Sequence, residues 1–557
     1  MKKSCRQCAQ QFEITTDDLV FHDKVSPVFA GKKQQISPPT LCPSCREQRR
    51  MAFRNERKLY LRKCDLCGKQ MVTTYSPDKK FTVYCSPCWW SDKWDPLAFA
   101  REYDFSRTFF DQYRDLQQVV PRLGMLSILN ENSDYTNCVS NLKDCYLIFS
   151  SDFSRDCMHG TWYEYSNSCV DNYAIDHCEL TYGSFFSNKL YNCRYAVNSS
   201  SCIDSSFLFD CRGCSNCYMS CGLRNKQYCI ENKPYTQEEY EEKMKQFDLG
   251  SAAVLENEKK KFTEMVGKYP RLFMYRNGRI ENSTGDFLTD VSNCENCYEV
   301  LRGKDCKNVH SAFDMYNTED CSFVSGSWGY ENCECVPMPV NSAFNLNSYG
   351  GADIYYTDTC MNDCNQLFGC VSLKHKKFCI LNKQYSEEEY NKLMPRIIEK
   401  MGKDGEWGEY FDISLSPFGY NETVADEFFR ITSAQAKKMG ASWKEDEPIS
   451  RYDGAVSMIP DNIRDTTEKI LKEILACGKC GKNFKIIAKE FELYKNMNVA
   501  IPRNCPDCRH LERLEFRNAP KLYAGACAKC KAEVRTTYAP DRPETVYCEK
   551  CYLIAVY

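Results

Sequence analysis

Residues 42–88 read CPSCREQRRMAFRNERKLYLRKCDLCGKQMVTTYSPDKKFTVYCSPC, and residues 505–551 read CPDCRHLERLEFRNAPKLYAGACAKCKAEVRTTYAPDRPETVYCEKC. The two stretches align without a gap at an offset of 463, with 23 of 47 positions identical and only six of those cysteines. An identity this long marks a copied structural unit. Within it the Cys-x-x-Cys pairs carry the chemistry, because two intervening residues make a tight knuckle that aims both thiolates at one ion, and two knuckles complete a tetrahedral shell.

Working outward, one more pair precedes each copy, at Cys5/Cys8 and at Cys477/Cys480. Pairing neighbouring knuckles gives four expected sites: Cys5, Cys8, Cys42 and Cys45; Cys64, Cys67, Cys85 and Cys88; Cys477, Cys480, Cys505 and Cys508; and Cys527, Cys530, Cys548 and Cys551. All-thiolate tetrads select zinc, so about four zinc ions per chain are expected. Pro43 and Pro506 suit the first turn of a helix begun on the second knuckle. The stretch Arg46 to Lys63, with eight Lys/Arg and two Glu, reads as a basic amphipathic helix in a treble-clef arrangement. Between the next knuckles, Val72-Thr73-Thr74-Tyr75 and Phe81-Thr82-Val83-Tyr84 are strand-like and read as a zinc ribbon.

Here a resemblance enters. The run Cys477-Gly-Lys-Cys480, Phe484-Lys-Ile486, Leu493-Tyr494, Pro502-Arg-Asn-Cys505-Pro-Asp-Cys508-Arg509 resembles the short bacterial zinc-ribbon or treble-clef module, over about 35 residues at each end. The whole chain resembles large cysteine-rich zinc-ribbon proteins of uncultured bacteria. The resemblance implies zinc and carries no activity with it. The N-terminal copy departs by a longer insert between Cys8 and Cys42.

Charge separates the ends from the middle. Of the 557 residues, 1–90 hold 17 Lys+Arg against 8 Asp+Glu, 477–557 hold 15 against 9, and 91–476 hold 41 against 59. Basic ends suggest a polyanion partner, with Arg46, Arg49, Arg50, Arg54, Arg57 and Lys58 lining an RNA or DNA surface at one end and Arg509, Arg513 and Arg517 at the other. The competing reading is a protein-interaction scaffold with purely structural zinc, its acidic middle offered to a protein partner.

The middle holds 22 of the 38 cysteines. Cys145, Cys169, Cys193 and Cys217 recur 24 apart, as do Cys178 and Cys202, and Cys297 and Cys321. A period of this size with short strands and polar turns suggests a parallel β-solenoid in which cysteine stacks inward as a small hydrophobe. Both clusters close alike, GLRNKQYCIENKPYTQEEYEEKM at 222–244 and SLKHKKFCILNKQYSEEEYNKLM at 372–394, where Thr236/Glu239 and Ser386/Glu389 form capping boxes for a terminal helix. Cys211, Cys214, Cys217 and Cys221 have the spacing of a bacterial ferredoxin cluster. The second copy places Met361, Cys364, Leu367 and Val371 there, which argues for apolar rungs rather than ligands.

The fold expectation is mixed and mainly β: two cysteine-rich parallel β-solenoid modules flanked by treble-clef/zinc-ribbon pairs at each end. The expected modules are an N-terminal zinc pair 1–92 (treble clef 1–63, ribbon 64–92), a helical linker 93–132, a first solenoid 133–245, a linker 246–285, a second solenoid 286–396, a linker 397–470, with a polar hinge at 444–453, and a C-terminal zinc pair 471–557. No apolar segment reads as a leader or a membrane span, so a cytoplasmic protein with reduced thiols is expected, a disulfide framework being the rival. The six His form no spaced pair, so no enzyme is expected. A carbohydrate-active solenoid using carboxylates such as Asp171, Asp176, Asp204 or Asp210 is the remote alternative.

Overall fold

The computed structural model describes residues 1–445 and 458–556, so most of the hinge expected at 444–453 lies outside the described residues. The chain divides into two compact units, each assembled from separated stretches. One comprises Met1–Met125, Met274–Lys444 and Ala519–Leu522; the other comprises Leu126–Phe273, Glu445–Asn518 and Tyr523–Tyr557. The N-terminal cysteine unit therefore belongs with the second solenoid, and the C-terminal cysteine unit with the first. Chain order is interleaved between the units, which the linear order of modules does not disclose.

The fold is mainly β, two parallel solenoids with the cysteine tetrads near the chain ends. In the first solenoid each residue pairs with one 12 positions on: Asn137 with Phe149, Tyr146 with Met158, Thr161 with Tyr173, Arg194 with Ser206. One turn is thus 12 residues, and the 24-residue spacing in the sequence spans two turns. Thr181 and Ser205 explain the difference, because at 12-residue intervals they interrupt a column of Cys145, Cys157, Cys169, Cys193, Cys217 and Cys229.

A turn of 12 residues is possible because every third residue is left-handed. Asp144, Leu147, Ser150, Phe153 and Asp156 have φ of 58°, 52°, 49°, 50° and 51°. Each turn therefore has four three-residue sides, and the residue after each corner points inward: Cys145, Ile148, Ser151, Ser154 and Cys157 are all buried. A left-handed corner costs an L-residue roughly 1–2 kcal/mol. Asn and Asp at corners reduce that cost. Contacts between successive turns offset the rest: the rings of Phe153 and Tyr165 stack at 5.1 Å, those of Tyr195 and Phe207 at 4.9 Å, and Asn192 donates to Asp204 at 2.7 Å.

The tight lumen selects short side chains that can also bond to backbone. Ser166 Oγ donates to Glu164 O at 2.9 Å and accepts from the Cys178 N–H one turn on at 3.3 Å. The Cys157 thiol donates to Arg155 O at 3.1 Å. Cysteine and serine thus do one job in the lumen, filling little volume while satisfying buried backbone groups. Among the described residues no two cysteines are joined by a disulfide.

The second solenoid follows the same rule, Tyr298 pairing with His310, with one-residue insertions later on, where Ile354 pairs with Leu367. Each solenoid ends in a short antiparallel strand and a helix, Gln237–Met244 or Glu387–Asp404, and both expected capping boxes are present. Among the described residues no helix is long and apolar enough to cross a membrane.

Candidate metal centres and the arginine clamps

Each tetrad is built from two unlike knuckles. In the first, the residue after the second cysteine is left-handed and turns the chain back. Ala9, Gly68, Gly481 and Lys531 have φ of 61°, 72°, 73° and 64°, and their N–H groups return to the carbonyls of Cys5, Cys64, Cys477 and Cys527 at 2.9–3.0 Å. The second knuckle opens a helix: Cys42 caps Pro43–Met51, Cys85 caps Ser86–Trp89 and Cys505 caps Pro506–Leu514.

In each of the four expected tetrads all sulfurs lie within 4.8 Å of one another. The sulfurs of Cys8 and Cys42 are 3.7 Å apart, those of Cys67 and Cys85 3.9 Å, those of Cys480 and Cys505 3.7 Å and those of Cys530 and Cys548 3.6 Å. A tetrahedron with metal–sulfur bonds of about 2.3 Å has edges of about 3.8 Å. The donor sets therefore fit one tetrahedral ion each, at about four per chain. Burial pushes the Cys64, Cys477 and Cys527 thiols up, but facing backbone N–H groups outweigh it and hold each at about 6. These four tetrads are the metal-competent groups among the described residues. Cys211, Cys214 and Cys217 are instead successive inward residues of one solenoid turn.

Each second tetrad has a hairpin, though not between the strands expected: Tyr60–Lys63 pairs with Gln70–Thr73 and Tyr523–Ala526 with Glu533–Thr536, while Val83–Tyr84 pairs with Arg122–Leu123 rather than with 72–75. The long basic helix does not. It ends at Met51 rather than running to Lys63, because Asn55 accepts from the Lys58 N–H at 3.0 Å and donates to Thr74 O at 3.0 Å, closing a turn that competes with helix. Arg46 and Arg50 lie on the helix, and Arg54 lies beyond it.

The arginines require a larger correction, since those expected on an open nucleic-acid surface are mostly buried against solenoid carboxylates. In the first unit Arg46 meets Asp320 at 2.6 Å, Arg50 meets Glu331 at 2.9 Å, and Arg49 meets Glu409 at 3.1 Å and Glu331 at 3.4 Å. Arg54 pairs with Glu56 at 2.6 Å and Glu334 at 3.4 Å. In the second unit Arg509 bonds to Asp171 and meets Glu490 at 3.3 Å, while Arg513 meets Asp171 and donates to His159 O, each at 3.1 Å. Arg517, half-buried, donates to Tyr173 Oη at 3.4 Å. Arg57 is half-buried and Lys58 exposed. The physical reason is charge balance: a basic helix pressed on an acidic solenoid must pair its guanidinium groups, since an unpaired buried charge costs several kcal/mol.

Histidines complete these clamps. His310 sits between Glu47 and Glu299, and although burial pulls its pKa down, the two carboxylates raise it to about 9. His159 stands 3.1 Å from Glu490. Burial raises the Glu490 carboxyl, but His159 and Arg509 outweigh it and hold it near 2. The carboxylates weighed for catalysis are likewise engaged, Asp171 by two arginines and Asp210 by Arg224 and Tyr552. Asp176 contacts His177, and Asp204 accepts from Asn192.

One contributor escaped the sequence reading, though its signal was present. Pro121-Arg122-Leu123-Gly-Met125 and Pro270-Arg271-Leu272-Phe-Met274 are a second duplicated motif. Arg122–Leu123 pairs in parallel with Val83–Tyr84 of one ribbon, and Arg271–Leu272 with Val546–Tyr547 of the other. Arg122 is itself buried 3.0 Å from Asp358.

No family model matches the chain, and a search of curated proteins finds no match. Among solved structures, the chain is 10% identical to one described as an acetyltransferase from Desulfovibrio desulfuricans G20, covering 50% of this chain and 82% of that one at a TM-score of 0.11. A likeness that weak carries neither fold nor function, and the conclusions rest on the geometry of the tetrads and their clamps.

Proposed function

We propose that this is a non-enzymatic scaffold for protein partners, in which four structural zinc ions shape the helices that clamp two solenoids. The observation that supports the reading most is the burial of Arg46/Arg509 and Arg50/Arg513, positions identical in the two cysteine units, against carboxylates of the same polypeptide. Arginines so buried and charge-paired are out of reach of a phosphate, and the recurrence of these residues in both copies follows from the shared docking job. The basic charge of the ends then serves the fold, and part of the acidic charge of the middle is its counterpart. Zinc fits the all-thiolate donor sets and the tetrahedral edge lengths.

The rival is binding of RNA or DNA by the basic ends. The discriminating experiment titrates full-length protein with single- and double-stranded RNA and DNA across ionic strength. The scaffold reading expects weak binding with a shallow salt slope. Tight binding whose logarithm falls steeply with the logarithm of salt concentration would restore the nucleic-acid reading.

A further inference from the structure

The two cysteine units carry related surfaces beside their knuckle helices, and among the described residues the one in the first unit is covered by the segment 413–444, whereas no described segment covers the one in the second. There Met51 and Ala52 are buried against Ile413, Tyr420, Val424 and Ala425. The Phe418 ring stacks on Tyr75 at 5.3 Å. Four residues on, Glu422 accepts from Tyr60 Oη at 2.6 Å and lies 3.6 Å from Lys79 Nζ. Backbone bonds fasten the strap, Val424 N–H donating to Arg54 O at 2.9 Å, and Ser416 Oγ to Ala52 O at 2.7 Å.

In the second unit the equivalents of Ala52, Tyr75 and Lys79, namely Glu515, Tyr538 and Arg542, line a cleft of about 970 Å³ instead. At the 463-residue offset Phe53, Tyr75 and Lys79 become Phe516, Tyr538 and Arg542, all on its wall. Their exposure has changed accordingly. Tyr75 is buried under Phe418, whereas Tyr538 is only half-buried; Phe53, buried against Tyr410 and Phe411, has a half-buried counterpart in Phe516. Leu514, half-buried, and Glu515, exposed, stand where Met51 and Ala52 are sealed. The opposite wall is the helix Ala252–Lys268 and the solenoid side.

We infer that this cleft docks a partner peptide that carries an aromatic residue followed four positions later by an acidic one, the pattern of Phe418 and Glu422. The ring has Tyr538 to stack on, as Phe418 has Tyr75. The carboxylate has the Arg542 guanidinium, which lies 5.5 Å from the Tyr538 ring and is held there by Glu544 and Asn518. A guanidinium has five N–H donors, enough for a second carboxylate. The first unit supplies the occupant's chemistry, since a surface copied from it keeps the aromatic and basic elements that the strap uses. The inference rests on the scaffold reading and names the partner class.

The test uses a fluorescent synthetic peptide of residues 413–428 and full-length protein, followed by anisotropy. Saturable one-to-one binding is expected, weakened at least roughly tenfold by Arg542→Glu or Tyr538→Ala in the protein and by Phe418→Ala or Glu422→Lys in the peptide. Glu515→Ala, which removes a negative charge from the cleft wall, should tighten binding. Zinc content and thermal melting report whether each variant is folded. A photo-crosslinker at the Phe418 position of the peptide should attach near Tyr538; attachment near Tyr75 would mean exchange with the strap and overturn the proposal. Absence of saturable binding, or binding indifferent to both Arg542→Glu and Tyr538→Ala, overturns it as well. The scaffold reading falls separately, on the nucleic-acid titration.

Discussion

Arg50 donates to Glu331 Oε2 at 2.9 Å across 281 positions of sequence, and neither side chain is more than 1% exposed. A buried pair of this kind adds little net stability when intact and costs much when broken, because the survivor is left charged out of reach of water. Glu331 also faces Arg46 and Arg49, so one carboxylate touches three guanidinium groups and shares their compensation with Asp320 and Glu409.

Glu331→Ala should therefore destabilise the first unit by about 3–5 kcal/mol, and Asp171→Ala should do the same to the second, where it strands Arg509 and Arg513. Chemical denaturation with a fluorescent probe in each unit would read this. An Asp171→Ala midpoint equal to wild type in the second unit would show that the clamp is not what holds Pro506–Leu514 in place.

Metal analysis of protein purified without chelator should return about four zinc ions per chain, one per tetrad. Cys505→Ser should lose one ion and loosen the C-terminal helix while the lumen cysteines stay protected. Bound iron, or a zinc content near zero, would contradict the donor geometry.

Stability of the first unit should fall on the alkaline side. His310 has a folded pKa raised from 6.5 to about 9 by Glu47 and Glu299. Its contribution is fully present below pH 6.5 and is lost as pH rises through about 9. The whole effect is on the order of 3 kcal/mol. In a series of melts from pH 6 to 10, His310→Gln should start less stable and show a flatter decline. A wild-type profile as flat as the variant's would rule this linkage out.

The lumen makes a prediction about cysteine chemistry. Burial, with Cys145 and Cys169 beside it, pushes the Cys157 thiol well up, so it stays protonated and unreactive. Alkylation of the 21 buried central cysteines should be slow until denaturant is added, with the half-buried Cys138 reacting first, and mass spectrometry should find no native disulfide among them. Cys157→Ser should cost little, since serine already fills lumen positions, whereas Cys157→Leu should cost about 1–3 kcal/mol by overpacking.

The tetrads, the capping boxes and the solenoid class were legible because each follows from spacing or local chemistry. The 12-residue turn was not. Its corners accept Leu147, Phe153 and Asp156 alike, because stacking between turns offsets the left-handed cost whatever the side chain, and no compositional rule survives. Thr181 and Ser205 further doubled the apparent period. The helix end at Met51 depended on one Asn55 turn, a local signal outweighed by eight basic residues. The fate of the arginines could not be read from charge, since a basic stretch suits a phosphate and a buried Glu331 equally well. Only the interleaving of the units decides between them.

Interleaving also sets an order of events during synthesis. A ribosome adding about 5–20 residues per second releases Arg50 roughly 15–55 s before Glu331 exists. During that interval the N-terminal cysteine unit has metal to shape it but nothing to seat its arginines against. The first solenoid meanwhile emerges complete, with Asp171 awaiting an Arg509 made 338 residues later. The nascent chain thus carries two unfinished, oppositely charged halves at once, neither able to close on its sequence neighbour. A chain cut short after residue 444 would hold one unit complete but for Ala519–Leu522, still tethered to an orphaned solenoid.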